Sequence, residues 1–300
     1  MTKQTTIGFI GLGVMGEPMC RNLARKSGTP VIALDLRSEP LDRLEAAGVK
    51  PAASVREIVQ EAGVIMLSLP SGSEVAAICT GGDGLLAHAH AGQTVIDLGT
   101  SPVKLMRSLG EQFGQREVDF ADAPVARTRA AAEAGTLSVM VGASEETFRR
   151  IEPLLETFAT EITHCGNVGA GQLTKILNNM VLFETGVALA EALALARRGG
   201  LDPALLFSTL AKGSADSFAL RNHGIKAMLP GIFPERAFSA QYALKDVGYA
   251  LECAADVGLK LSGAELARAR LQQAIAQGFG EQYWPVIAKV IGRGSDTRSG

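Results

Sequence analysis

The first half of the chain alternates short apolar runs, rich in β-branched residues, with longer stretches of helical periodicity. The apolar runs predict strands at residues 6–10, 31–34, 64–69, 94–98, 118–121, 137–141 and 161–164. The stretches between them predict helices at residues 17–25, 40–47, 54–60, 73–78, 102–113 and 144–158. Because strands that alternate with helices form parallel sheets, this half predicts an α/β unit with a mostly parallel, doubly wound sheet.

The hydrophobic spacing changes after about residue 165, where the strand pattern ends. Apolar residues recur with helical spacing from Gly169 to Arg197, and Gly199 and Gly200 follow as a helix stop. At about 1.5 Å per residue, such a helix is long enough to connect two domains. Further helices are predicted at residues 203–211, 239–257, 263–278 and 281–291. We therefore expect an α/β domain at residues 1–165 and an all-helical domain at residues 166–300, with a poorly ordered end at residues 292–300.

A glycine-rich turn follows the first predicted strand. Gly11, Gly13 and Gly16 form a G-x-G-x-x-G pattern that encloses Val14 and Met15. In such a turn the first glycine allows the tight bend, the second lets backbone amides approach a pyrophosphate, and the third lets the helix pack close to the strand. The helix N-terminus adds partial positive charge. The strand–turn–helix context therefore predicts a dinucleotide-binding site in the α/β domain.

The end of the second predicted strand indicates which dinucleotide binds. Asp35 follows Gly11 by 24 positions, near the spacing at which a carboxylate binds the adenosine ribose hydroxyls. A carboxylate there repels a 2′-phosphate, so NAD is favoured over NADP. Arg37 could turn toward a 2′-phosphate, which leaves NADP open. Other cofactor-binding candidates lie where strands end, at Leu69, Pro70 and Thr100.

Composition and charge narrow the possible partners. Lys and Arg number 29 and Asp and Glu 31, so the net charge of −2 gives no general attraction to nucleic acid or anionic membranes. The apolar stretch 180–196 contains Glu184 and Glu191 and is shorter than the roughly 20 residues of a membrane span. No signal-peptide cleavage pattern follows the N-terminus, so we expect a cytoplasmic protein. The spacing of cysteines and histidines predicts neither a disulfide framework nor a metal site.

Four collinear motifs resemble those of the β-hydroxyacid dehydrogenase family. They are GFIGLGVMGEPMCRNL at 8–23, DAPVARTRAAAEAGTL at 122–137, GNVGAGQLTKILNN at 166–179 and FSAQYALKD at 238–246. The family includes 3-hydroxyisobutyrate dehydrogenases, tartronate semialdehyde reductases and sulfolactaldehyde reductases, and the resemblance covers nearly the whole chain. It implies a Rossmann domain, a helical domain for substrate binding and oligomerisation, and assembly as a homodimer or homotetramer.

The third motif carries the candidate catalytic residues. Lys175, Asn178 and Asn179 are spaced i, i+3 and i+4, so they share one face of the predicted helix. A helical lysine taken alone is usually exposed. The resemblance implies that Lys175 is the general acid/base, that Asn179 orients it or the substrate, and that Asn178 helps to bind substrate. It also implies that Lys245 closes the pocket beside the cofactor and that Phe238 forms a pocket wall.

Residues 126–128 depart from the family pattern, in which many members have a serine and two glycines. Ala126, Arg127 and Thr128 stand there instead. A similar Pro-Val-x-Arg-Thr occurs in the sulfolactaldehyde reductase branch, and this resemblance implies that Arg127 binds an anionic substrate group. A guanidinium suits either a carboxylate or a sulfonate. Leu182 replaces a small hydroxyl residue of that branch, which weakens the case for sulfonate. Alternatively, Arg127 and Arg129 belong to a solvated loop.

Together these observations predict an NAD-dependent oxidoreductase that interconverts a small 3-hydroxy acid, bearing a carboxylate or a sulfonate, and its semialdehyde. One alternative is an NADP-dependent reductase of short aldehyde acids. Another, from a different class, is a nucleotide-binding scaffold without turnover. The presence of Lys175 and Asn179 argues against the scaffold. It also argues against imine reductases, which resemble this family but generally replace the lysine.

Overall fold

The computed structural model describes residues 6–235 and 237–292. Contacts along the chain divide it into two compact units, Met1–Lys175 and Ile176–Gly300. The domain boundary between residues 165 and 166 stays a prediction, since the contact division falls inside a long helix that begins later. Apart from Gly292, the glycine-rich end lies outside the described residues.

The first unit is built on one mixed sheet. Its strands are β1 (Thr6–Ile10), β2 (Val31–Leu34), β3 (Val49–Pro51), β4 (Ala62–Leu67), β5 (Thr94–Asp97), β6 (Asp119–Asp122), β7 (Val125–Ala126), β8 (Leu137–Gly142) and β9 (Ala159–Gly166). They lie in the order β3-β2-β1-β4-β5-β6-β8-β7, and β9 pairs with β8. The strands from β3 to β6 are parallel, whereas β8 is antiparallel to β6 and β7 and parallel to β9. The chain runs outward from β1 to β3 and then returns to β4, so the topological switch point lies between β1 and β4.

Helices accompany the strands of this unit. They are α1 (Gly16–Lys26), α2 (Ser38–Glu45), α3 (Val55–Glu61), α4 (Gly72–Thr80), α5 (Leu85–His88), α6 (Val103–Gly114), α7 (Arg129–Ala134) and α8 (Glu145–Leu155). Successive strand residues enter opposite cores, because side chains alternate across a sheet. Phe9 and Met66 belong to one buried cluster and Ile10 and Leu67 to another. Both sheet faces are therefore covered, as a doubly wound sheet requires.

The second unit is helical in its described residues. It contains most of α9 (Ala170–Gly199), then α10 (Pro203–Leu210), a π-helix (Leu220–Met228), α11 (Ala240–Asp256), α12 (Ser262–Ala276), a 3₁₀ turn (Trp284–Val286) and α13 (Ile287–Ile291). Its core surrounds the fully buried side chains of Trp284, Phe183 and Phe207. The indole lies so close to α9 that a Cβ at Gly186 would be 2.4 Å from the ring. Gly186 is therefore the residue that lets Trp284 pack against this helix.

The structure confirms the α/β and all-helical fold classes. Several of the elements that were not predicted are very short. The strand β3 has three residues and includes Pro51, β7 has two, and α5 has four, so none is long enough to show a periodic pattern. The helix α7 and the π-helix were also not predicted. The predicted helix at 281–291 is instead a 3₁₀ turn followed by α13, because Pro285 lacks a backbone amide for a continuous helix.

The helix α9 is apolar over a longer stretch than residues 180–196. By length and composition it meets the requirements of a membrane span, with a mean hydropathy of 1.4 over its best window. Residues 180–196, which are too short for a span, are only part of this apolar helix. Core helices of soluble proteins meet the same requirements, and 44% of the window is buried within the protein.

Candidate functional site

The cofactor candidates of the first unit lie along one edge of the sheet. The amide of Gly11 after β1 donates to the carbonyl of Leu34 at the end of β2 (2.9 Å). On the other side of β1, the Ser68 amide donates to the carbonyl of Ile10 (2.9 Å). Backbone hydrogen bonds thus connect the loops that follow β1 and β4 to the last residues of the neighbouring strands. Three predicted residues follow these ends, namely Leu69 and Pro70 after β4 and Thr100 after β5. This edge at a switch point is where open α/β sheets bind ligands.

The glycine turn between β1 and α1 has the geometry that its motif predicts. Gly11 has φ +95°, and a Cβ there would lie 2.3 Å from the carbonyl oxygen of Ser68. A Cβ at Gly16 would lie 2.1 Å from the carbonyl oxygen of Gly11, so the first turn of α1 packs directly on the bend. At Gly13, by contrast, a Cβ would meet nothing within 4 Å. The turn therefore leaves open space in front of a helix N-terminus, which fits a pyrophosphate. Val14 is exposed and Met15 half-buried beside that space.

Asp35 is joined to this turn and to Arg37. Its Oδ2 accepts a hydrogen bond from the backbone amide of Leu12 (2.6 Å), and its Oδ1 accepts from the amide (2.9 Å) and Nε (3.1 Å) of Arg37. The Nη2 of Arg37 also donates to the carbonyl of Leu12 (3.1 Å). Burial of the Asp35 carboxyl raises its pKa, but these hydrogen bonds outweigh burial and hold the pKa below its usual value. Asp35 is therefore a carboxylate fixed at the glycine turn, and Arg37 is held beside it.

Arg127 lies at the β8–β9 edge of the sheet. Its Nη1 donates to the carbonyl of Thr136 (2.6 Å) and to Oγ1 of Thr160 (3.1 Å), and its Nη2 lies 3.9 Å from Oε1 of Glu161. Its backbone has φ +85°, a left-handed conformation that favours glycine. Arg127 is an exposed residue, and its guanidinium is held by Thr136, just before β8, and by Thr160 in β9.

The neighbours of Arg127 have simpler surroundings. Ala126 is the last residue of β7 and pairs with Ser138 of β8. Thr128 is the N-cap of α7, where its Oγ1 accepts from the amide of Ala131 (3.4 Å). Arg129 pairs with Glu133 on the surface of that helix. Ala126 and Thr128 therefore set the backbone path through residue 127.

Lys175 is buried near the start of α9, with only 8% of its surface exposed. A lysine is almost never this buried unless it has a partner or a function. Its position on α9 agrees with the helix predicted from Gly169 onward.

A polar network in the second unit joins three predicted residues through one that sequence reasoning missed. Asn178 Nδ2 donates to Asn179 Oδ1 (3.1 Å), and Asn179 Nδ2 donates to Asp246 Oδ2 (2.7 Å). The Nζ of Lys245 lies 3.3 Å from the other oxygen of Asp246. Asn179 and Asp246 are 3% and 2% exposed. The signal for Asp246 was available, because an acidic residue within the apolar face of a helix needs a buried partner.

Aromatic rings lie close to two further predicted residues of the second unit, Lys245 and Phe238. Lys245 Nζ lies 5.6 Å and 5.4 Å from the ring centroids of Tyr242 and Tyr249, within the range of cation–π attraction. Phe238 packs against Phe183 with ring centroids 6.0 Å apart, and its carbonyl accepts from the amide of Trp284 (2.9 Å). Phe238 thus forms part of the wall of the helical core.

The predicted residues therefore fall into separate clusters. Asp35 and the glycine turn form one, Arg127 with β8 and β9 forms another, and Asn179 with Asp246 forms a third. Over the described residues, no group of three or more His, Cys, Asp or Glu side chains is placed to hold a metal ion.

A doubly wound domain with a dinucleotide-type glycine turn, followed by a helical unit, defines a class of NAD(P)-binding oxidoreductases. Residues 6–166 match the family described as the NAD binding domain of 6-phosphogluconate dehydrogenase. Residues 169–291 match the family described as NAD-binding of NADP-dependent 3-hydroxyisobutyrate dehydrogenase. The chain belongs to the β-hydroxyacid dehydrogenase family, whose members depend on NAD(P).

Relatives and solved structures agree with this membership. The chain is 33% identical to 2-(hydroxymethyl)glutarate dehydrogenase of Eubacterium barkeri, over 97% of this chain and 96% of the relative. It is 34% identical to NAD-dependent L-serine dehydrogenase of Pseudomonas aeruginosa, over 95% and 97% of the two chains. The structure of Mycobacterium tuberculosis 3-hydroxyisobutyrate dehydrogenase with L-serine is similar at a TM-score of 0.87 and 32% identity, covering 96% of this chain and 99% of that one.

The left-handed backbone at Arg127 leads to a stability prediction. Arg127→Ala and Arg127→Gly both remove the contacts to Thr136 and Thr160, but only glycine adopts φ +85° without strain. We expect the glycine variant to be more stable than the alanine variant by about 1–2 kcal/mol in chemical denaturation. Equal stability of the two variants would show that residue 127 is not left-handed in solution.

Proposed function

We propose that this protein is an NAD-dependent oxidoreductase that interconverts a small 3-hydroxy acid, bearing a carboxylate or a sulfonate, and its semialdehyde. The observation that carries the proposal is the burial of Lys175, at 8% exposure, on the helix that follows the dinucleotide-binding domain. An ammonium or amine group that is shielded from water is suited to exchange a proton with a reacting oxygen.

The residues at the sheet edge fit a nicotinamide dinucleotide. The amides of the turn from Gly11 to Gly16 would bind the pyrophosphate, and the Asp35 carboxylate would accept the ribose hydroxyls. When bound, the cofactor supplies the hydride acceptor or donor. We infer that NAD is preferred, because an ionised Asp35 repels a 2′-phosphate. An NADP-dependent reductase would require Arg37 to leave its contacts with Asp35 and Leu12.

Lys175 is proposed to act on the proton of the reaction. In the direction of oxidation its neutral Nζ accepts the proton of the substrate hydroxyl, and in reduction its ammonium returns a proton to the carbonyl oxygen. A buried lysine on the helix that follows the dinucleotide-binding domain is what a proton-transfer role requires. The proposal therefore favours an enzyme over the scaffold.

Asn179 is proposed to orient the reacting groups, since it lies one helical turn after Lys175. Its amide has a defined orientation, because Nδ2 donates to Asp246 and Oδ1 accepts from Asn178. The second lone pair of Oδ1 remains for a hydroxyl or ammonium donor. Asp246 thus acts on Asn179 by fixing which end of the amide is presented. Lys245, beside the same carboxylate, is the second cation proposed for the cofactor or the substrate.

The substrate class is proposed from two observations. The names of the relatives contain serine, 3-hydroxyisobutyrate and 2-(hydroxymethyl)glutarate, and each of these molecules has a hydroxymethyl group on the carbon next to a carboxylate. Arg127 supplies a cation five residues beyond the end of β6. Its Nη1 is engaged by Thr136 and Thr160, so an anionic substrate group would bind the remaining guanidinium donors. Ala126, Thr128, Asn178 and Phe238 are proposed as further substrate contacts.

Replacing Lys175 tests the proposed chemistry. Lys175→Ala should reduce turnover by about 10²- to 10⁴-fold, because the variant loses proton transfer, while cofactor affinity stays nearly unchanged. Steady-state kinetics and cofactor titration measure the two effects. Lys50→Ala is a matched control, since Lys50 is an exposed lysine paired with Glu61 on the surface. A loss confined to cofactor binding would make Lys175 a structural residue.

The cofactor preference is tested at Asp35. We expect a higher kcat/KM with NAD than with NADP across a spectrophotometric panel of short 3-hydroxy acids and hydroxy sulfonates. Asp35→Ser should narrow this difference, because it removes the negative charge that repels a 2′-phosphate. Asp83→Ser, at an exposed aspartate, should leave the ratio unchanged. A wild-type preference for NADP would overturn the proposal and direct attention to Arg37.

The role of Arg127 in substrate binding has a separate test. Arg127→Ala should lower kcat/KM for an anionic substrate about 10- to 150-fold. This is the effect expected when a charge-assisted contact worth about 1.5–3 kcal/mol is removed. The effect should fall mainly on KM and should be absent for the neutral amide analogue. Arg129→Ala, at the exposed first residue of α7, is the control. If the anionic and neutral substrates are affected equally, Arg127 does not read the substrate charge.

A further inference from the structure

A buried polar cluster lies at the carboxyl ends of β5 and β6, among residues that the proposed chemistry does not use. All four members belong to the first unit and are fully buried. They are Asp97, Ser101, Asp122 and Gln172. None of them is a predicted site residue. Burying four polar side chains together is costly unless each one has hydrogen-bond partners. The partners that they have connect the start of α9 with the loop after β5.

Asp122 fixes the first turn of α9. Its Oδ1 accepts from the amide of Gly169 (2.6 Å) and its Oδ2 accepts from the amide of Gln172 (2.6 Å). The first amides of a helix have no partner within the helix. One carboxylate at the end of β6 therefore satisfies two of the donors at this helix start, and both of its oxygens are used.

The backbone of α9 also lies directly against the ends of β6 and β8. A Cβ at Gly171 would be 2.3 Å from the carbonyl oxygen of Met140, and a Cβ at Gly142 would be 2.4 Å from Oδ1 of Asp122. Two glycines thus allow the helix to begin in contact with both strands. The start of α9 is set by close backbone packing as well as by the carboxylate.

The side chain of Gln172 continues this connection to the loop after β5. Its Oε1 accepts from the amide of Ser101 (3.0 Å), and its Nε2 donates to the carbonyl of Gly99 (2.8 Å) and to Oδ2 of Asp97 (3.3 Å). Gly99 and Ser101 are the two neighbours of Thr100. One amide side chain therefore holds the backbone on both sides of a cofactor-binding candidate.

Asp97 and Asp122 make this cluster electrostatically unusual. Asp97 accepts from Ser101 Oγ (2.8 Å) and from the Gly99 amide (3.0 Å). Burial raises the pKa of Asp122 to about 6, with a further contribution from the charge of Asp97, although the amides of Gly169 and Gln172 lower it. Burying these groups costs desolvation energy, and their hydrogen bonds fix the geometry of the helix start and of the loop after β5.

We propose that Gln172 is a positioning residue that holds the Thr100 loop and the Lys175-bearing turn of α9 as one rigid piece. Lys175 follows Gln172 by three residues, which is less than one helical turn. Asp122 fixes the main chain of Gln172, and Gly99 and Ser101 bind its side chain. The inference rests on the proposed role of Lys175, and it assigns Gln172 no direct contact with substrate.

Gln172→Met in the full chain is the first test, since it keeps the length of the side chain and removes its hydrogen bonds. We expect backbone amide hydrogen exchange around residues 99–101 and 169–175 to become at least about 10-fold faster without substrate. We expect kcat to fall about 10- to 100-fold, with KM for the hydroxy acid changed less than about 3-fold, because misplaced groups lose orientation rather than binding. Gln112→Met, at a half-buried glutamine of α6 whose side-chain amide bonds to Ser108, should change neither the amide exchange nor the kinetic constants.

Gln172→Glu adds a readout that general destabilisation would not produce. The new side chain can accept from the Ser101 amide in either protonation state, but it can donate to the Gly99 carbonyl only as the protonated acid. Asp97 faces it from β5 and Asp122 from β6, Arg107 of α6 lies against Gly169, and Lys175 lies on the same helix. The two carboxyls favour protonation of the new acid. We therefore expect kcat of the variant, relative to wild type, to rise as the pH falls from 8 to 6.

The exchange measurement separates this inference from the proposed function. Unchanged exchange in Gln172→Met, or an unchanged kcat while Lys175→Ala is inactive, would overturn the positioning role. Faster exchange together with an active Lys175→Ala would uphold the connection between loop and helix, and would show instead that the chemical role of Lys175 is wrong. A flat pH dependence of the Gln172→Glu to wild-type ratio would also count against the proposal.

Discussion

The two hydrogen bonds that Asp122 accepts from the start of α9 determine where this helix begins, and much of the first unit depends on that point. A helix advances about 1.5 Å and turns about 100° per residue, so fixing its first turn fixes the residues that follow. The carboxylate lies at the end of β6, and the order of the parallel strands places that end next to β5. The strand order thus determines where α9 begins, and through it where the buried side chain of Lys175 lies.

The glycine turn and Asp35 follow the same logic at the switch point. Gly11 and Gly16 are required because backbone atoms lie where their Cβ atoms would be, whereas Gly13 has open space in front of it. The Asp35 carboxylate bridges the end of β2 and the amide of Leu12. The first unit therefore holds its cofactor candidates by main-chain contacts between strand ends, which tolerate little variation in the backbone.

The sequence predicted most of this arrangement but not all of it. Strand alternation and the glycine spacing are local signals, and they located the sheet and the turn. Asp122 and Asp246 were missed because their partners are 47 and 67 residues away. The apolar helix face around Asp246 marks it as a buried carboxylate but does not identify its partner. The sequence alone shows that Arg127 lies in a segment where many family members have a serine and two glycines. Its left-handed backbone and its contacts with Thr136 and Thr160 became apparent only when β8 and β9 were adjacent.

The packing of Trp284 against Gly186 has a consequence for spectroscopy. The chain contains one tryptophan, and that indole is fully buried among Phe183, His223 and Tyr283 in the helical unit. Its fluorescence thus reports the integrity of this unit alone, while the sheet unit contributes no indole signal. Comparing tryptophan emission with far-ultraviolet circular dichroism during denaturation would therefore distinguish the unfolding of the helical unit from that of the whole chain.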